Sequence, residues 1–101
     1  MRRRVGSISA ELRREILERD KRCFLARLYN DHVCRDLWGN PHRSDDLDRL
    51  SLEHVKDQGM MGRRAPSDPA HLLALCATAN INVPSKGDRI AMRAYLRAVN
   101  A

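Results

Sequence analysis

The chain has 101 residues, which predicts one domain with a small core. Its formal net charge of +6 suits either a polyanionic partner such as nucleic acid or a soluble basic domain with no such partner. No apolar run approaches the roughly 20 residues that span a bilayer, and no signal-peptide core follows the basic start. We therefore expect a cytoplasmic protein without a membrane partner. Three cysteines are an odd number, which argues against a disulfide framework.

The beginning of the chain is predicted to be a basic arm over residues 1–8, followed by a single domain over 9–101. Arg2, Arg3 and Arg4 in this arm can contact phosphates or can simply be solvated. In the domain, Ser9 has the residue type of a helix N-cap, and apolar residues at helical spacing follow it. The pattern predicts a helix over 9–20.

The segment 27–49 has no clear helical or strand period and is rich in turn-forming residues. We expect loops here, with Trp38 packed into the core and His42 exposed. His32 and Cys34 lie two residues apart, and they can bracket a metal ion if the chain between them is extended.

Two short apolar segments predict a pair of adjacent strands. Residues 50–55 alternate between apolar and polar side chains and carry Glu53 and His54 near the end. The apolar run 72–75 predicts a second strand that pairs with the first, and a turn is expected over 76–80. A carboxylate, an imidazole and the Asn80 amide would then meet at one site.

Basic residues flank this site on both sides. The loop between the strands contains Arg63 and Arg64, which suit a phosphate clamp or are two solvent-exposed arginines. After Pro84, a terminal helix is predicted over 86–99, with a capping-box pattern at its start. Lys86 and Arg89 contribute to a basic side of this helix.

These residues resemble those of HNH endonucleases, the ββα-metal nucleases, and in particular the small HNH proteins of actinobacterial bacteriophages. The resemblance covers residues 23–86. It is carried by Glu53-His54 in a Leu-Glu-His-Val strand, a Gly-Arg-Arg-Ala-Pro loop, the run 71–76 and then Asn80. It implies an α+β fold in which a two-stranded antiparallel hairpin plus a helix forms the core, with an N-terminal and a C-terminal helix packed on it.

The resemblance also implies roles for individual residues. His54 matches the general base that takes a proton from the attacking water, and His71 matches the position that orients this base. Glu53 and Asn80 match the ligands of a divalent metal, Mg²⁺ or Mn²⁺. The implied reaction is hydrolysis of a DNA phosphodiester, and the implied setting is phage DNA packaging in the host cytoplasm beside a terminase. Arg63, Arg64, Lys86 and Arg89 are the expected DNA contacts.

Physical chemistry independently fits this division of roles. Histidine titrates near neutral pH and can act as a base, whereas Glu53 and Asn80 offer oxygen ligands that suit hard cations. Adjacent strand residues point to opposite faces, so Glu53 and His54 cannot both face one ion in a regular strand. That favours His54 as the residue that meets the water.

The sequence departs from the usual motif in ways that keep a second function open. Glu53 stands where Asp is more frequent, His71 where Asn is usual and Asn80 where His is usual. The alternative is a catalytically inactive nucleic-acid-binding or adaptor module with the same fold.

The zinc site found beside many HNH motifs needs two C-x-x-C pairs, and neither Cys23 nor Cys76 has a cysteine three residues later. Structural zinc is therefore not expected. A residual zinc site would use Cys23, Cys76 and one of Cys34 or His32. Otherwise, Cys23 and Cys76 are buried neighbours that act as small hydrophobic residues.

Overall fold

The chain folds around a two-stranded antiparallel hairpin that is covered by helices. The computed structural model describes residues 8–56, 66–81 and 85–101, and within these ranges the fold is a small α+β arrangement with a second, shorter hairpin. In chain order the elements are α1 (Ala10–Asp20), α2 (Phe24–Leu28), β1 (Cys34–Arg35), β2 (Pro41–His42), a 3₁₀ turn (Leu47–Arg49), β3 (Leu50–His54), β4 (Leu72–Cys76), α3 (Ala77–Ile81) and α4 (Lys86–Val99).

Helix α1 confirms the helix predicted after the basic arm. The Ser9 hydroxyl accepts the N–H of Leu12 at 3.0 Å and caps the first turn. The helix ends where Lys21 adopts a left-handed φ of 65° and donates its N–H to the carbonyl of Leu17. Ile16 is fully buried, so one face of α1 belongs to the core. Arg2, Arg3 and Arg4 lie outside the described residues.

The central hairpin confirms the two predicted strands and fixes their register. Leu50 pairs with Cys76 at one end, and His54 pairs with Leu72 at the other. Every residue of β4 is buried, because α1, α2 and α4 all pack against this strand. Strand β3 is half-buried beyond Leu50. The polar end of β3 therefore lies at the rim of the core, where a side chain can meet both protein and solvent.

Helix α4 confirms the predicted terminal helix and its capping box. Ser85 Oγ accepts the N–H of Asp88 at 3.1 Å, and the Asp88 carboxylate accepts the N–H of Ser85 at 3.3 Å. Met92 and Leu96 are buried against the core, which leaves the basic residues of the helix on its outer side and along its edges.

Three expectations for the short elements are wrong. Trp38 is 83% exposed and not a core residue, because Asp36 Oδ1 accepts the N–H groups of Trp38 and Asn40, and this tight turn, with Gly39 at φ 85°, projects the indole outwards. His42 is half-buried in β2 instead of exposed in a loop. The turn expected over residues 76–80 is helix α3, which begins directly after β4.

Within the described ranges, no helix is long and apolar enough to cross a bilayer.

Candidate functional site

A compact group of three cysteines and one histidine is the most distinctive chemical feature of the described residues. Cys23 precedes α2, His32 lies between α2 and β1, Cys34 begins β1, and Cys76 ends β4. Their donor atoms all lie within 4.8 Å of one another. The cysteines are buried and His32 is half-buried. We call these four residues the Cys/His cluster.

The spacing within the Cys/His cluster fits a tetrahedral metal site. His32 Nε2 lies 3.5 Å from Cys76 Sγ and 3.8 Å from Cys23 Sγ. Zinc–ligand bonds of ordinary length place neighbouring sulfur and nitrogen ligands about 3.6 Å apart, and neighbouring sulfurs about 3.8 Å apart. These two separations are close to those that one zinc ion would require, and the other donor pairs all lie within 4.8 Å.

The surroundings of Cys76 favour the thiolate that a metal ligand must supply. A hydrogen bond from Cys23 lowers the pKa of Cys76 to about 4, helped by the N–H groups of Ala79 and Arg35 and by His32. The hydrogen bond to Cys76 and burial raise the pKa of Cys23. Burial also raises the pKa of Cys34, to about 11. Cysteine binds metal as the thiolate. Cys76 already favours this form, whereas Cys23 and Cys34 would release their protons when a metal binds.

The Cys/His cluster changes the expectation about metals. Structural zinc was not expected, because neither Cys23 nor Cys76 belongs to a C-x-x-C pair. The structure instead brings both His32 and Cys34 to these two cysteines, which makes a four-donor group that could bind a metal. Sulfur and imidazole donors favour Zn²⁺ over Mg²⁺. The sequence offers the short His32-x-Cys34 spacing and a residual site of Cys23, Cys76 and one of Cys34 or His32, and the structure brings all four of these residues together.

The end of β3 carries the predicted metal ligand and the predicted base. His54 Nε2 lies 2.9 Å from Ser67 Oγ, which holds the ring against the loop that precedes β4. Glu53 is half-buried and pairs with Leu73 across the hairpin. Burial raises the pKa of the Glu53 carboxyl, and the positive charge of Arg89 opposes part of this rise.

His71 lies at the same end of the hairpin, immediately before β4. Its Nδ1 is 2.7 Å from Asp68 Oδ1, and its N–H donates to the Asp68 carbonyl at 3.1 Å. The His71 carbonyl accepts the N–H of Val55 at 2.7 Å, which extends the hairpin by one hydrogen bond. His71 thus fixes the loop to the strand, and Asp68 fixes the orientation of its ring. Sequence reasoning did not single out Asp68 or Ser67.

The structure brings some of the predicted site residues together and leaves others outside its described part. Glu53, His54 and His71 lie at one end of the hairpin, where Glu53 and His54, as adjacent residues of a regular strand, face opposite sides. Asn80 belongs to α3, a helix that packs against β3. Its side chain is outside the described part of the structure, and so are Arg63 and Arg64 entirely.

The two predicted DNA contacts on α4 lie in its first two turns. Lys86 is exposed, and Arg89 is half-buried and close enough to Glu53 to influence its charge. The basic start of α4 therefore lies beside the acidic end of β3.

Comparison with protein-family models, with curated proteins and with solved structures gave no match for this chain. The functional interpretation rests on the residues and geometry of the chain itself.

Proposed function

We propose that the chain is a metal-dependent DNA endonuclease of the HNH, or ββα-metal, type. One observation carries the proposal. Strand β3 ends in Glu53-His54 and pairs with a strand that starts directly after His71 and continues into the helix containing Asn80. An acid, a base and an orienting histidine at one end of a hairpin, with an amide on the following helix, are the residues that this hydrolysis requires.

His54 is the general base in this proposal. The Ser67 hydroxyl at Nε2 limits rotation of the ring, and the half-buried His54 lies at the rim of the core, which solvent reaches. An imidazole in general titrates near neutrality, which suits it to accept the proton of a water molecule as the water attacks phosphorus. His71, held by Asp68, positions the loop that carries Ser67 and so acts on His54 indirectly.

Glu53 is the protein ligand of a hard divalent cation, with Asn80 as the second. The fit of Glu53 is chemical: it is a half-buried carboxylate whose charge is only partly offset by Arg89, and a cation would compensate its desolvation. When bound, Mg²⁺ or Mn²⁺ would neutralise charge on the phosphate and on the departing oxygen. Lys86 and Arg89 add positive charge for the DNA backbone beside this position.

The Cys/His cluster has a separate, structural role in the proposal. Four protein donors leave no open coordination position, which is the arrangement of structural zinc sites and not of catalytic ones. The donors come from three parts of the chain: the start of α2, the β1 region and the end of β4. Zinc there would attach the β1–β2 hairpin and α2 to the catalytic hairpin.

Cleavage of supercoiled plasmid tests the proposal. The native protein, loaded with zinc, is incubated with Mg²⁺ or Mn²⁺ and should convert the plasmid to nicked or linear forms. His54→Ala should lower the rate about 10²–10⁴-fold, whereas His42→Ala, at a histidine on the other hairpin, should cleave like the native protein. If the native protein cleaves the plasmid with neither metal, the proposed endonuclease activity is refuted.

A nucleic-acid-binding module without catalysis is the second candidate. The observation that favours it is the hydrogen bond between His54 and Ser67, because a histidine with a protein partner can serve the fold alone. This candidate requires that native protein binds the plasmid and leaves it intact under every metal in the same assay.

A further inference from the structure

A groove next to His71 is not used by the proposed chemistry. It has a volume of about 380 Å³ and lies between the end of the central hairpin and the C-terminal half of α4. We call it the α4 groove. Its lining consists of Val55, Ala70, His71, Arg93, Leu96, Arg97 and Asn100.

Two arginines give the α4 groove its charge. Arg93 and Arg97 are four residues apart on α4, which places their side chains next to each other on one face of the helix. Within the described ranges, neither guanidinium has a hydrogen-bond or ion-pair partner. Arg93 is also half-buried. A partly desolvated cation without an anion is well suited to bind one from outside the chain.

The remaining lining closes the α4 groove. Val55 and Leu96 are only 3% and 4% exposed, so they form its apolar floor and leave the two guanidinium groups as its main binding groups. Asn100 closes one end, where its side-chain amide donates to the carbonyls of Leu96 and Pro69. A volume of about 380 Å³ is at the lower end of the roughly 300–1,000 Å³ of small-molecule sites. The α4 groove therefore has room for one backbone phosphate with its sugar, while the rest of the duplex stays outside it.

We infer that the α4 groove binds a backbone phosphate of the nucleic-acid strand, through Arg93 and Arg97, next to the end of the hairpin that carries His54 and His71. A guanidinium group can donate two parallel N–H hydrogen bonds to two phosphate oxygens. Two adjacent arginines therefore form a favourable binding site for one phosphate. This inference rests on the proposed function for the identity of the polyanion.

The position of the α4 groove gives the bound strand a path. Basic residues recur along α4 from Lys86 through Arg89 and Arg93 to Arg97. Eleven residues of helix rise about 16 Å, and one strand of duplex DNA carries a phosphate about every 3.4 Å along the axis. The strand would follow α4 for about five nucleotides, passing Glu53 beside Arg89 and reaching the α4 groove directly next to Val55 and His71 at the end of the hairpin.

Binding of a fluorescent DNA duplex, measured by anisotropy, tests the inference without relying on cleavage. The measurements use zinc-loaded protein carrying His54→Ala, so that the DNA stays intact. On this background, Arg93→Gln with Arg97→Gln is compared with Arg14→Gln and Arg22→Gln. The control pair removes the same charge from two exposed arginines at and just after α1. Circular dichroism checks that each variant folds, and Arg97→Gln alone replaces the pair if Arg93 proves necessary for folding.

Replacing both arginines of the α4 groove should weaken duplex binding about tenfold or more. Each replacement should also lower the slope of log Kd against log salt concentration by about one. The control pair should change binding only slightly. Equal affinity and salt dependence in the two double variants would overturn the inference. Calorimetry with deoxyadenosine monophosphate covers the other source of phosphate: binding of this nucleotide that requires Arg93 and Arg97, with unchanged duplex binding, would also overturn the nucleic-acid assignment.

These outcomes are distinct from failure of the proposed function. If the protein binds DNA through Arg93 and Arg97 but never cleaves plasmid, the inferred phosphate site stands and the proposed endonuclease activity is refuted. If the protein cleaves plasmid and binds DNA equally well without the two arginines, the proposed endonuclease activity stands and the inferred phosphate site is refuted.

Discussion

Asp20 offers a stringent test of how the fold holds its site. It is 1% exposed at the end of α1, and it fixes the outer edge of β4. Asp20 Oδ1 accepts from Arg19 Nε at 2.7 Å and from the Tyr95 hydroxyl at 2.8 Å, while Oδ2 accepts the N–H of Ala74 at 2.9 Å. Arg19 in turn donates to the carbonyl of Leu72 at 2.6 Å. Asp20 and Arg19 together satisfy two backbone groups of β4, the N–H of Ala74 and the carbonyl of Leu72.

Replacing Asp20 with alanine would leave several buried groups without partners. The N–H of Ala74 and the hydroxyl of Tyr95 would lose an acceptor, at a cost of about 1–3 kcal/mol for each buried donor. Arg19 would lose its anion, and breaking a buried pair from one side costs about 3–5 kcal/mol. These costs overlap, so we expect Asp20→Ala to lower the free energy of unfolding by about 3–5 kcal/mol. For a domain of this size the loss corresponds to a Tm lower by about 12–40 °C.

Thermal unfolding followed by far-ultraviolet circular dichroism, on zinc-loaded protein, measures this effect. Asp48→Ala is the matched control, because Asp48 is an exposed aspartate in the 3₁₀ turn; its change should stay within about 0.5 kcal/mol. If Asp20→Ala melts within about 5 °C of the native protein, less than the cost of one lost buried bond, the assignment of Asp20 as the support of β4 is refuted.

Three further predictions concern metal, pH and surface. His32→Ala should abolish stable zinc binding while His42→Ala retains it, as measured by elemental analysis. Chelation of zinc from the native protein should lower Tm in melting curves by about 16–32 °C, if the free zinc concentration had been near 1,000 times its Kd. Because burial raises the pKa of Glu53, the folded chain binds its proton more tightly than the unfolded chain, so this group lowers the free energy of unfolding as pH rises through that pKa. Glu53→Gln should remove this loss in urea titrations across the acidic range, and an unchanged pH dependence would contradict the burial effect. Trp38→Ser should change stability by less than about 0.5 kcal/mol, and a larger loss in a urea titration would show that the indole is a packed residue.

The long elements were predictable because each has a local signal. Helices α1 and α4 have apolar residues at helical spacing and polar caps at Ser9 and Ser85, and β3 alternates between faces. These patterns act within one turn or one strand, so neighbouring residues are enough to identify them.

The short elements and the Cys/His cluster depend on contacts between distant residues. Helices α2 and α3 have five residues each, too few for a period, and their placement depends on what they pack against. The cluster joins Cys23 to Cys76 across 53 positions, with His32 and Cys34 between them. Nothing in this spacing resembles the C-x-x-C pairs of common zinc sites. Asp20 was hidden for a related reason: its partners lie on β4 and α4, and a helix pattern shows only that a position is polar.

The site was predictable in its residue types and less so in its supports. Glu53, His54 and His71 were expected at adjacent strands, and the structure brings them to one end of the hairpin. Ser67 and Asp68, which hold the two histidines, lie in an aperiodic loop where no pattern distinguishes a supporting residue from a solvated one.

The most direct test of the central claim is single-turnover cleavage of an end-labelled DNA duplex, with the chemical nature of the new ends determined. With Mg²⁺ or Mn²⁺, the native protein is predicted to produce 5′-phosphate and 3′-hydroxyl ends, and His54→Ala, folded and zinc-loaded, is predicted to react about 10²–10⁴-fold more slowly. If the duplex stays intact with either metal, or if His54→Ala cleaves as fast as the native protein, the assignment of Glu53 and His54 as a hydrolytic site is contradicted.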